Sequence, residues 1–366
     1  MMKFQLTILF IVLTLGLCSC SSESLNTDVE IQNPNTELYF PPIDNDQWET
    51  ISPMSLGWNT EAIPSLYDFL EEKDTKGFIV LKDGRIVLEK YFNGATASDN
   101  NPWNSIGKSL TSFVVGIAQQ ENHLNIYDTS SDYLGEGWSA LTPQEEQAIT
   151  IWNHITMTTG LDYNTSNINC TDTDCLTYLN PAGEFWFYHN APYTLTRTIV
   201  EAAVGQNFND YYNNKVRNRI GMQGTWLSIG YANIYYSNAR SLARFGLLNL
   251  NKGRWGGEAI LDDTEYFSSM ISSSQDLNKA YGYLWWLNGK ENYRVPGLAS
   301  QFTGPLIPSA PDDLYAGLGK DDQKLYIVPS EDLVIVRMGD DGGQTLLGPS
   351  SFDELLWQKL NAVLNR

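Results

Sequence analysis

The chain has 366 residues, of which 42% are hydrophobic, 12% aromatic and 18% charged, a globular composition long enough for two subdomains with cores of their own. Its formal net charge is −20, and a surface that acidic repels phosphate backbones. No Lys/Arg cluster supplies a local basic footprint either, so no nucleic-acid partner is expected.

Lys3 precedes an apolar stretch from Leu6 to Leu17, followed by Cys18-Ser19-Cys20-Ser21-Ser22. A short charged segment, an apolar run and small residues after it predict a secretory signal over 1–19, too short for a transmembrane span. Residues 20–50, rich in Ser, Asn, Asp, Glu and Pro, are expected to be a tether. The spacing of Ile63, Leu66, Phe69 and Leu70 predicts a helix over 61–72. Gly77–Leu81 and Arg85–Tyr91 flank Asp83-Gly84, a strong hairpin signal.

Ser105-Ile106-Gly107-Lys108 then opens an apolar helical run from Leu110 to Ala118, and it is the only Ser-x-x-Lys in the chain. A serine hydroxyl is protonated at neutral pH and needs a base within reach to act as a nucleophile. Positions i and i+3 share a helix face, so Lys108 points at the volume beside Ser105. Serine acyl-enzymes use this spacing. The competing interpretation is a serine-capped helix with a solvated lysine one turn on.

Residues 105–275 read as mostly helical, broken by loops. Cys170 and Cys175 are expected to form a local disulfide outside the cytoplasm; without a histidine nearby, no metal site is expected of them. Tyr-x-Asn occurs seven times and carries nothing as a bare pattern. The copy at Tyr188-His189-Asn190 stands out, because it precedes a helical run, Tyr193 to Val204, closed by Gly205. Tyr281–Leu287 reads as a strand with alternating aromatic residues. Gln323–Val328 and Leu333–Met338 read as a second hairpin around Pro329–Asp332, and a last amphipathic helix runs from about 352 to 364.

Taken in order, these segments resemble the serine β-lactamase-like superfamily, which includes class C β-lactamases, D-alanyl-D-alanine carboxypeptidases, related esterases and the 6-aminohexanoate-dimer hydrolase. The matching stretches are Trp103–Ser109, Ile149–Leu161, Gly183–Asn190 and Tyr236–Gly246, and the resemblance runs from about residue 55 to the C-terminus. It implies an α/β (α+β) fold of the β-lactamase/transpeptidase type. An antiparallel sheet from both chain ends (51–104 and 276–366) is flanked by helices, and a mostly helical part (105–275) is inserted into the hydrolase domain, 51–366.

The resemblance further implies Ser105 as nucleophile, Lys108 as base and Tyr188 as proton relay, with Asn190 orienting Lys108 or binding substrate. Leu17–Cys20 resembles a bacterial lipobox, implying a lipoprotein held in the cell envelope through Cys20, with no other membrane contact. The family's Lys-Thr-Gly or His-Thr-Gly is missing. The matching segment reads Gly317-Leu318-Gly319-Lys320-Asp321-Asp322-Gln323, nearer to the 6-aminohexanoate-dimer hydrolase branch. Small residues at Gly319 let the backbone approach a ligand, and the N–H groups of Ser105 and Lys320 are candidates for an oxyanion hole. The missing hydroxyl is what holds a β-lactam carboxylate in the family.

None of the three histidines suggests a Ser-His-Asp triad, and no cofactor or metal motif is present. The expected function is a serine hydrolase acting on a small-molecule ester, amide or short peptide-like substrate through an acyl-enzyme. The alternatives are a β-lactamase or D-alanyl-D-alanine carboxypeptidase, or a non-catalytic binding lipoprotein with the same fold.

Overall fold

The structure is a computed structural model, and it describes residues 37–343 and 349–366. The signal segment and Cys20 lie outside the described residues.

Both chain ends build one six-stranded antiparallel sheet in the order Arg85–Tyr91, Thr75–Lys82, Leu333–Gly339, Gln323–Val328, Tyr315–Gly319 and Trp286–Leu287. The first hairpin turns through Asp83 and Gly84, at φ 52° and 78°. Those positive φ values suit the tight turn that matches strand twist. The second hairpin turns at Asp332, at φ 47°. Early and late strands meet between Thr75–Lys82 and Leu333–Gly339, where Val80 faces Ile335.

Every residue of Gln323–Val328 and Leu333–Gly339 is buried, so helices must cover both faces. One layer pairs Ile63–Glu72 with Ser351–Leu364, where Phe69 stacks on Phe352 and Trp357 meets Tyr326 edge-on. The other holds Ile106–Gln120 and Ala239–Leu250. Gly246 lets the second of these sit close, since a Cβ there would come within 2.4 Å of Val334 Cγ1. Each Val, Ile or Leu buried between these layers contributes about 1.5–3 kcal/mol relative to exposure.

Three features depart from the sequence expectations. The inserted part contains a hairpin, Thr225–Ile229 with Ala232–Ser237, joined by Asn101–Pro102 into a three-stranded sheet. Tyr281–Leu287 is not a continuous strand. Leu284 sits at φ 61° and Gly282 N–H donates to Trp285 O, so only Trp286–Leu287 pairs with the sheet. The expected alternation fails with it: Tyr281, Tyr283, Trp285 and Trp286 are all buried.

Finally, residues 37–50 are not a free tether. Tyr39 N–H donates to Asp83 O (3.0 Å), Trp48 Nε1 to Gly84 O (2.7 Å) and Ile86 N–H to Glu49 O (3.0 Å). Arg244 Nη2 donates to Pro42 O and Asn45 O at 2.8 and 3.1 Å. A chain whose backbone is held at that many points is part of the folded body, so residues 37–50 belong to that body; the rest of the expected tether lies outside the described residues.

Candidate active site

Trp103-Asn104-Ser105 forms the turn that starts the helix Ile106–Gln120. Trp103 is fully buried against Tyr235, and its N–H donates to Tyr235 O at 2.8 Å. Asn104 takes the left-handed conformation at φ 49°, which asparagine tolerates better than most residues, and its Nδ2 donates to Lys320 O at 2.8 Å. The turn thus ties the start of the helix to the end of the strand Tyr315–Gly319. Gly319 is required by that contact, because a Cβ there would lie 2.6 Å from Trp103 O. Its smallness thus serves the approach of strand to turn. Lys320, the next residue, lines the cleft in front of Ser105, with its side chain 62% exposed.

One helical turn after Ser105, Lys108 is buried and places Nζ 3.2 Å from Ser105 Oγ. The ammonium position lies 4.3 Å from the centroid of the Tyr193 ring and 4.9 Å from that of Tyr188. Among the described residues no carboxylate forms an ion pair with Lys108. The contrast is Lys324, equally buried but flanked by Asp353 at 2.9 Å and Asp322 at 3.2 Å. Burial without a counter-charge penalises the ammonium form and pushes the Lys108 pKa down to about 7. Lys108 is therefore an amine able to accept a proton near neutrality.

Tyr188 completes the group. Its ring stacks on Trp286 and meets Tyr281 edge-on. Burial pushes its pKa well above the ordinary phenol value, while its hydrogen bond with Ser105 pulls the other way. The phenol stays protonated and can donate. Structure therefore brings Ser105, Lys108 and Tyr188 together in one cleft of about 340 Å³.

Asn190 also lines the cleft, at the start of the helix Asn190–Val204. It does not touch Lys108: its Nδ2 donates to Asn169 Oδ1 at 2.9 Å, and its buried Oδ1 has no partner. No hydrogen bond joins it to Lys108 among the described residues. Cys170 and Cys175 are disulfide-bonded with Cα atoms 5.9 Å apart. Their loop supplies Ile168 and Asn169 to one wall, and the hairpin supplies Ala232, Asn233 and Ile234 to another. Sequence reasoning missed Asn233. It sits in Tyr231-Ala232-Asn233, one of the seven Tyr-x-Asn copies, and nothing in its flanks distinguished it. Tyr193 was read only as the start of a helical run.

The histidines stand apart. His154 is buried between Pro192 O (2.7 Å) and Ser130 Oγ (2.9 Å), and burial pushes its pKa down to about 4. His189 is buried too and is likewise pushed to about 4. His123 is partly exposed beside Glu121. None of the three lines the cleft.

Comparison with known proteins agrees with this architecture. The Beta-lactamase family profile matches residues 63–344. The 6-aminohexanoate-dimer hydrolase of Paenarthrobacter ureafaciens is 21% identical over 319 residues, covering 75% of each chain. A Bacillus anthracis structure carrying the same hydrolase name superposes with a TM-score of 0.67 at 18% identity, covering 90% of both chains. The octameric penicillin-binding protein homologue from Pyrococcus abyssi gives 0.62 at 15% identity, over 84% of this chain and 77% of that one. The structural likenesses show the fold, and the profile, spanning most of the described body, shows the lineage. The chain belongs to the Beta-lactamase family, and its relatives include serine hydrolases of that superfamily.

Proposed function

We propose that this protein is a serine hydrolase that cleaves a small ester or a short peptide-like amide through an acyl-enzyme on Ser105. The observation that carries the proposal is the amine of Lys108, buried without a carboxylate partner and 3.2 Å from Ser105 Oγ. Neutral Lys108 takes the proton of Ser105 as Oγ attacks the carbonyl carbon. The N–H groups of Ser105 and Lys320 receive the developing oxyanion. Tyr188 gives its proton to the leaving oxygen or nitrogen and recovers one from Lys108, so the C–O or C–N bond breaks with a neutral leaving group. Water then attacks the acyl carbon, its proton passes through the same pair to Ser105 Oγ as the C–Oγ bond breaks, and the acid leaves with the serine restored.

A β-lactam is a poor fit. At the end of the flanking strand stand Leu318, Gly319 and Lys320, none of which offers a Ser or Thr hydroxyl for the lactam carboxylate. Intact-mass measurement after exposure to a mixed panel tests both points. An activated ester and an activated amide are expected to add one acyl group per chain. A chromogenic cephalosporin is expected to turn over at least a hundredfold more slowly, and rapid cephalosporin turnover would instead support a β-lactamase or carboxypeptidase.

We also propose that Cys20 carries a lipid anchor, so that the catalytic body works from a membrane surface in the cell envelope. The support is the lipobox-like run Leu17-Cys18-Ser19-Cys20. Radiolabelled lipid incorporated by the wild type is expected to be lost in Cys20→Ala; incorporation that persists would dismiss the assignment.

A further inference from the structure

The two walls of the cleft are joined outside it. Tyr231, at the tip of the hairpin, donates its hydroxyl to the Asp172 carboxylate in the disulfide-closed loop. Each partner lies within three residues in sequence of one that lines the cleft. Tyr231 immediately precedes Ala232, Asn233 and Ile234, and Asp172 lies three residues beyond Asn169. At about 3.3 Å per residue, the bridge stands within roughly 10 Å of the lining side chains.

Apart from this bridge, the two walls are anchored differently. The loop wall is fixed to the body: Ala191 N–H donates to Ile168 O (3.0 Å), Asn190 to Asn169 (2.9 Å), and the Cys170–Cys175 disulfide closes a ring of six residues around Asp172. The hairpin wall is held at its base, where Trp226 and Tyr235 are buried and Ala232–Ser237 pairs with Asn101–Pro102, but not at its tip. Its outer strand Thr225–Ile229 pairs only with Ala232–Ser237, and Leu227 and Ile229 are 45% and 54% exposed. A hairpin tip with exposed side chains and, among the described residues, one unpaired edge is held more weakly than its buried base. The carboxylate beside Tyr231 raises the pKa of its hydroxyl, so the donor stays protonated across the working range of pH.

We propose that Asp172 and Tyr231 are selectivity-determining residues: their bridge holds the hairpin against the disulfide loop and limits the cleft to unbranched acyl groups lying between Ile168 and Ile234. The proposal rests on the hydrolase reading of Ser105, since it concerns which acyl group reaches that serine. Neither partner lines the cleft, so they act by position and not by touching substrate. The side chains they bring together, Ile168 and Asn169 against Ala232, Asn233 and Ile234, are amide and aliphatic, which suits an uncharged chain.

The test compares wild type with Tyr231→Phe and Asp172→Asn on p-nitrophenyl acetate, butyrate and pivalate. The kcat/KM ratio of pivalate to acetate is expected to rise roughly fivefold in both variants, about what one hydrogen bond contributes, while acetate turnover stays within twofold. A ratio unchanged in both variants overturns the proposal. Hydrogen exchange over 166–176 and 229–234 reads the bridge without turnover. Both segments are expected to lose protection together in each variant, and unchanged exchange overturns the bridge even where catalysis fails. Loss of all ester turnover in the wild type, with the exchange result intact, would count against the hydrolase reading and not against the bridge.

Discussion

Ser105→Ala is expected to lower kcat/KM for an activated ester by about 10⁴–10⁶-fold, the scale on which removal of a serine nucleophile acts. Labelling by a fluorophosphonate should disappear with it. The fold should hardly notice. Ser105 precedes the buried helix rather than belonging to its core, and the interactions lost are the 3.2 Å contact from Lys108 Nζ and the hydrogen bond with Tyr188. A single hydrogen bond of this kind is worth about 1 kcal/mol net, and at pH 8 the amine left behind is mostly uncharged. Equal labelling of wild type and variant would remove Ser105 from the mechanism. Labelling lost together with a large fall in melting temperature would show that the variant fails as a structure, and Ser105→Cys would then be the informative replacement.

Lys108→Met carries the second large effect, in two directions at once. Activity should fall by about 10²–10⁴-fold, the contribution of a positioned general base. Stability should rise. In the folded protein Lys108 titrates near 7, against 10.5 for an ordinary lysine. Between those values the unfolded chain binds a proton that the folded chain does not, so stability increases with pH across 7 to 10.5, and the penalty is fully present below 7.

Methionine fills a similar volume without that penalty, and a gain of about 1–3 kcal/mol at pH 7 is expected in denaturant titration. The gain should shrink as pH rises from 7 to 10. Wild-type kcat/KM should climb with pH and level off above about 7, where the amine is neutral. Identical pH slopes of stability in the two proteins would show that Lys108 is not the buried base described here.

Much of the framework was legible because local chemistry and global pairing agree. Asp83-Gly84 between two β-rich runs forms the expected hairpin, and the Ser105/Lys108 spacing places both groups on one helix face in the structure. What escaped depends on partners distant in sequence. Tyr281–Leu287 has the composition of a strand. Gly282, however, is packed where a Cβ would lie 2.2 Å from Met270 O, and that contact turns the chain. Residues 37–50 have the composition of a linker, but they are fixed by arginines of the helix Ala239–Leu250. Asn190 is expected from the family resemblance to orient Lys108 or to bind substrate. Its actual partner, Asn169, lies on a loop whose course no periodicity reveals.

The pairing of Val80 with Ile335 has a consequence in time. Ser105 and Lys108 are made early, but the strand and turn that present Lys320 are made after about six-sevenths of the chain, and the sheet closes only when Leu333–Gly339 arrives beside the first hairpin. Contacts this far apart along the chain make folding slow, because the entropy of closing the loop is spent before the contacts form. A partly synthesised or still-extended chain therefore carries its serine and lysine without a cleft to use them in. On the mechanism proposed above, such a chain is expected to be catalytically silent until its last strands are in place.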